Sequence, residues 1–421
     1  MRKPFSTQAR LDCATIGEVQ LNLKCRDEIV PVLAGLRHIY SQGQLRDQIL
    51  GLVAADVNER SRNDRGREGL DYWHIIVLAA VRLGCNLDYD KLQDLAEQHR
   101  AMRHIMGIGD WQEQIDFNWR RIRDNICLLK PGTLEAISHC LLEEAYRLQP
   151  DAVKKQRVDS FVVETNIHYP TESSLIVDGV RKTIELCVKL SDVYDMVGWR
   201  QHEHLLKKVK QTARHVARIG ARKGAKYKQR LAGQYDKLLR RAEAILRRAT
   251  ETCETLQSDY DLDIVSITQI AEITVFIERT RQVCGTARRR VLEGETVPNE
   301  DKLFSIFEPH TQLYRRGKAG QPNQFGRLVL IYEDAAGFIS HHYVMPRDAQ
   351  DQDVAVEQTR KLQQRLKNRV EEISFDRGFH SPENQQQLAE LVAHVCLPKP
   401  GKKQAIEQDE TASVSFHQAR Q

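Results

Sequence analysis

The chain has 421 residues, 41% of them hydrophobic and 29% charged, with a formal net charge of +5. That length and mixture describe a folded protein of two or three domains, not a disordered one. No run of 18 apolar residues is present to span a membrane, and Arg2 and Lys3 are not followed by an apolar signal core. The expectation is a cytoplasmic protein without a membrane partner.

Nine cysteines are scattered along the sequence, odd in number and without a CxxC pair. This excludes a zinc ribbon and fits a reducing compartment, with the thiols acting as small buried hydrophobes.

The first 150 residues read as helical. Periodic apolar residues run from Asp27 to Val57, followed by a charged connector at 58–69. An apolar helix is expected from Tyr72 to Leu83, broken by Gly84-Cys85-Asn86. A second follows from Asp88 to His99, and a third starts near Ala101. Helix, Gly-containing turn, helix over 72–108 is compatible with a DNA-binding helix-turn-helix and equally with a plain helical bundle. Two more amphipathic helices are expected at 118–129 and 131–148.

The pattern then changes. Residues 157–164 read as a strand, 169–174 as a loop, and 184–256 and 265–294 as long charged helices. Strand signals return at 327–333 and 338–345 around the turn Asp334-Ala335-Ala336-Gly337. A helix near 350–368, a strand at 371–376, a helix at 382–393 and a strand at 393–397 complete the order. This is an α/β core, 151–183 with 300–421, interrupted by a helical insertion at 184–299.

Two carboxylates stand out. Asp159 is embedded among Val and Phe, although Asp is disfavoured inside a strand. Asp376 ends a strand too far upstream to cap the next helix, where Ser381 and Pro382 hold the cap and first-turn positions. Carboxylates at strand tips are what a metal-dependent phosphoryl-transfer site needs. His341 and His342 are adjacent on a strand, so they point to opposite faces and make a poor metal pair.

Cations are unevenly distributed. From Arg200 to Arg248 there are sixteen Lys and Arg against three acids, an electrostatic footprint for a polyanion. Lys207, Lys208, Lys210 and Arg214 lie in this run. Arg315, Arg316 and Lys318 sit between glycines, which let backbone amides approach phosphate, and Arg181 and Lys182 follow Asp178-Gly179. A solvated charged surface would share these features.

The segments 158–182, 303–339 and 373–391 together resemble bacterial insertion-sequence transposases of the DDE type, closest to the group filed as "not classified yet". The resemblance runs from about residue 70 to the end. It implies a ribonuclease-H-like mixed sheet and two divalent ions, Mg²⁺ or Mn²⁺, held by Asp159 and Asp376. It also implies cleavage and strand transfer on double-stranded DNA at element ends and target, by a homo-oligomer at the nucleoid. The family's third carboxylate is a Glu in an R–x–x–H–x–x–[I/V]–E–S-like motif. Here the sequence reaches only Phe416-His417-Gln418-Ala419-Arg420-Gln421. The resemblance therefore implies a C-terminally incomplete acidic set, and Glu407 and Glu410, in a polar Lys-rich stretch, are not assigned to it. A catalytically dead DNA-binding remnant, or another nuclease on the same fold, remains open as an alternative.

Overall fold

A computed structural model describes residues 11–59, 69–111, 117–222, 224, 226–315, 322–347 and 349–399. The chain separates into two compact units, Met1–Lys155 with Asp334–Ser340, and Gln156–Glu333 with His341–Gln421.

The helices of the first unit are α1 (Ile29–Ser41), α2 (Gly43–Asn58), α3 (Tyr72–Gly84), α4 (Tyr89–Gln98), α5 (Arg100–Ile105), α6 (Trp119–Ile126) and α7 (Pro131–Leu148). The single periodic run of 27–57 is two helices, parted at Gln42, whose extended backbone ends one and caps the next. α3 is the hub. Its N-cap Asp71 accepts the His74 amide, and the fully buried Trp73 donates its indole N–H to the Ile105 carbonyl at 2.7 Å. α4 carries Asp90, Asp94 and Glu97 against one cation, Lys91. That acidic excess makes it a poor element to lay against phosphates, whereas α6 carries Arg120, Arg121 and Arg123, two of them stacked on the Trp119 ring.

The second unit holds most of a six-stranded mixed sheet. Its strands are β1 (Lys155–Glu164), β2 (Gln312–Tyr314), β3 (Gln324–Asp334), β4 (Ile339–Val344), β5 (Glu372–Phe375) and β6 (His394–Cys396). They lie in the order β2-β3-β1-β5-β6, with β4 also beside β3. β2 runs antiparallel to β3, and β5 parallel to β6. Thr165 N–H donates to the Phe325 carbonyl while Arg157 pairs with Glu333, so β1 and β3 run in opposite directions. Gly326 permits their close approach: a Cβ there would sit 2.0 Å from the Val163 carbonyl oxygen. β2 carries no sequence signal of its own, because three residues are too few to show an alternation.

Helices α12 (Asp351–Arg365) and α13 (Pro382–Leu391) accompany this sheet. The buried Tyr332 hydroxyl of β3 meets Thr359 Oγ1 at 3.1 Å, and the buried Gln363 amide donates to the Val370 and Leu391 carbonyls and accepts the Val370 N–H. α12 is thus clamped to the entry of β5 and to the end of α13.

The insertion departs from the expected 184–299. Its first helix, α8 (Glu172–Val193), starts twelve residues earlier, because Thr171 and Ser174 form a reciprocal capping box. The chain breaks at 194–201, where Asp195 takes a φ of +50°. It continues as α9 (His202–Arg222), α10 (Tyr227–Asp259) and α11 (Ile264–Ala287), the last running into a π-helical turn at Arg288–Leu292. Gly220 and Gly233 lie inside helices rather than ending them. Gly179 serves packing: a Cβ there would meet the Thr280 hydroxyl at 2.0 Å, so only glycine lets α8 and α11 approach this closely. Leu190, Val209, Leu238, Leu246 and Ile273 form the bundle's apolar centre.

Candidate functional site

β1 alternates strictly. Gln156, Val158, Ser160 and Val162 are buried, and Arg157, Asp159, Phe161 and Val163 are not. Asp159 therefore sits on the open side of a strand inside the sheet. One carboxylate oxygen accepts the Ser160 N–H at 2.7 Å. The nearest cation along the strand on that side, Arg157, is held by Glu333 at 2.6 Å, so it does not neutralise Asp159.

β5 is the neighbour of β1. Ile373 and Phe375 are buried, and Ser374 alternates with them. Asp376 continues in an extended conformation, φ −79° and ψ 165°, so it falls with Ser374 on the less buried side, and it is exposed. Its side chain caps nothing. The tip is nevertheless held firmly. Phe379, 1% exposed, packs its ring 5.4 Å from Phe375, and the Asn384 amide donates to the Phe379 and Gln352 carbonyls. Ser381 accepts the Asn384 N–H as N-cap of α13, with Pro382 at the first position, as the sequence indicates. Asp159 on β1 and Asp376 just past the end of the neighbouring β5 thus each lie on the side their strand leaves open.

Among the described residues, no group of three His, Cys, Asp or Glu side chains is gathered as a metal cage. Glu407 and Glu410 lie outside the described residues. His341 faces inward, 3.1 Å from Gln358 and against the Tyr332 ring, while His342 is exposed, so the two do point apart. None of the nine cysteines is in a disulfide. Burial pushes the thiols of Cys187, Cys253 and Cys284 upward, Cys253 to about 11, which keeps them protonated and inert.

The basic residues separate into two groups. Arg181 and Lys182 lie within α8 rather than beside a turn. Arg181 sits 3.8 Å from Asp178 and over the Phe307 ring, and Lys182 is 3.4 Å from Glu272 and over Phe276. They are committed to the bundle. Lys207, Lys208 and Arg214 are exposed on α9, with Lys210 half-buried, opposite the buried Val209, Thr212 and Val216. Arg315 is exposed after β2, and Arg316 and Lys318 lie outside the described residues.

The second unit also contains a cleft that no sequence motif announces. It is lined by the 169–175 segment, α9, α10, the π-helical turn and β2–β3. Its one local signal is the aromatic Tyr169 beside the α8 cap, in a stretch whose composition indicates only a loop.

No described helix is long and apolar enough to cross a membrane. Comparison with protein-family models, with curated proteins and with solved structures gave no match.

Proposed function

We propose that the protein is a DDE-type transposase, a metal-dependent enzyme that cuts double-stranded DNA at the ends of a mobile element and joins it to a target. The observation that carries this reading is the juxtaposition of β1 and β5, with Asp159 and Asp376 on their open sides. The strand order β4-β3-β1-β5-β6 also supports it. An antiparallel hairpin next to β1, then helix, strand, helix and a parallel final strand, is compatible with the ribonuclease-H-like core that this reading calls for.

The donor set fits Mg²⁺ or Mn²⁺. Both prefer hard carboxylate and water oxygens, and neither aspartate is engaged by a cation among the described residues. When bound, such ions polarise the phosphodiester and lower the pKa of the attacking oxygen's proton. The chain's own contribution is positioning. The Phe375–Phe379 contact and the Asn384 hydrogen bonds fix the Asp376 tip, and the Ser160 amide orients Asp159. Lys207, Lys208, Lys210 and Arg214 would hold the duplex by its phosphates, and a homo-oligomer would bring two element ends together.

The test is nicking of a supercoiled plasmid bearing the element's ends, with Mg²⁺ or Mn²⁺. Cleavage lost in Asp159→Asn and in Asp376→Asn, with duplex binding retained, is the expected result. Cleavage that survives either substitution would remove these residues from the site. Tight, salt-sensitive duplex binding by a parent that does not cleave would leave a DNA-binding remnant as the correct reading.

A further inference from the structure

The cleft has a volume of about 610 Å³, within the range of about 300–1,000 Å³ typical of small-molecule sites. One wall is aromatic. Tyr169, 68% exposed, meets Phe325 edge-on at 5.6 Å between ring centroids, and Phe304 meets Phe325 at the same distance. Two cations also line it, Lys302 and Arg315. Neither has a carboxylate partner among the described residues, and Lys302 Nζ lies 3.4 Å from Asn299 Oδ1. A third cation, Arg290, is already neutralised. The π-helical turn presents it to Glu172, whose two carboxylate oxygens both accept from its guanidinium. Behind that pair, burial pushes the Tyr235 phenol up to about 12, so it stays neutral. The uncompensated charge facing the cleft is therefore positive and comes from Lys302 and Arg315.

An exposed ring, two cations without a carboxylate partner among the described residues and the side-chain amides of Asn299 and Asn323 in one concave space suit an aromatic heterocycle joined to an anion. Rings stack on bases of any sequence, and cations hold their phosphates. We propose that this cleft is a nucleotide subsite, with the base packed on Tyr169 and the phosphate between Lys302 and Arg315. The ligand is either a free nucleoside monophosphate or one unpaired residue of a DNA strand. The proposal does not depend on the aspartate pair.

The experiment uses the full chain. A fluorescent ten-nucleotide single strand of mixed sequence is titrated by anisotropy, and deoxyadenosine monophosphate is titrated separately by calorimetry. Tyr169→Ala should weaken binding of the ligand that occupies the cleft about tenfold. Duplex affinity should stay within about twofold of the parent's. Lys302→Gln and Arg315→Gln should each reduce the salt slope of single-strand binding by about 0.7. Binding of the monophosphate, lost with Tyr169, assigns the cleft to a free nucleotide; binding of the strand alone assigns it to DNA. Tyr169 and Arg315 are exposed, so these variants retain the fold. A parent that binds neither ligand, or a Tyr169→Ala variant that binds both like the parent, overturns the proposal. Neither result touches the aspartate site, which is read by cleavage.

Discussion

Within one helical bundle, cations of the same charge are used in two different ways. On α8 and the π-helical turn they are consumed internally. Arg181 faces Asp178, Lys182 faces Glu272, Arg289 is shared by Glu295 and Asp301, and Arg290 is held by Glu172. On α9, Lys207, Lys208, Lys210 and Arg214 have no carboxylate partner among the described residues, while the helix buries Val209, Thr212 and Val216 on its other side. The sheet shows the same contrast with the sign reversed. Glu333 is answered by Arg157, whereas Asp159 and Asp376 have no cation partner among the described residues. A run of charge in a sequence is thus an ambiguous signal. The informative charges are those that folding leaves uncompensated, because they stay available to an external partner.

The sharpest way to break this contrast is at the acids. Asp376→Asn keeps shape and removes charge, and should lower metal-dependent plasmid nicking by at least about a hundredfold, as expected when a reacting group is misplaced by about 1 Å. Glu333→Gln, which removes an already compensated acid, should lower it far less. Equal effects of the two would erase the distinction.

At the cations, Gln at positions 207, 208, 210 and 214 together should flatten the slope of log K against log salt for duplex DNA, by about 0.9 for each phosphate no longer neutralised. Gln at 181 and 182 should leave that slope nearly unchanged, since these two are occupied within the bundle. A slope that responds instead to 181 and 182 would move the DNA surface onto α8.

The bundle itself is sensitive at Gly179. A Cβ inserted 2.0 Å from the Thr280 hydroxyl must push α8 from α11, so Gly179→Ala should destabilise by about 1–3 kcal/mol in chemical denaturation. Gly220→Ala, where nothing lies within 4 Å of the added atom, should be neutral or slightly stabilising.

The smallest expected effect belongs to an ion pair in the N-terminal unit. The Arg147 guanidinium, helped by His38, holds the Glu144 carboxyl down at about 2. A depressed folded value stabilises above the unfolded carboxyl value and fades as pH falls toward the folded one. Glu144→Gln should therefore cost up to about 1 kcal/mol near neutrality. The gap to the parent should close between about pH 4.5 and pH 2. A gap that persists below pH 2 would assign the loss to packing.

Much of the core is readable from sequence because its signals are local. The turn at Asp334–Gly337, the Ser381-Pro382 helix start and the odd placement of Asp159 and Asp376 each follow from a few neighbouring residues. The structure puts strands and helices within a few residues of those positions. The insertion is less legible. Its start depends on the Thr171–Ser174 capping box, and its first break on a left-handed Asp195; neither disturbs hydrophobic periodicity. Helical glycines are silent for the same reason: Gly179 and Gly233 both lie inside helices, and their role, or lack of one, is set by what packs against them. The roles of Arg181 and Lys182 are hidden in the sequence, because Glu272 is ninety residues from Lys182. The cleft is likewise hidden, being assembled from segments spread between Tyr169 and Phe325.

The central claim is that Asp159 and Asp376 serve one divalent-metal site. Its most direct test is a Mn²⁺ titration of the full chain followed by electron paramagnetic resonance, comparing the parent with Asp159→Asn, Asp376→Asn and the double variant. The expected result is that either single substitution weakens the same binding event by at least about tenfold, and that the double variant is little worse than either. A single variant that binds Mn²⁺ as the parent does, or losses that simply add as though at separate sites, would contradict the account.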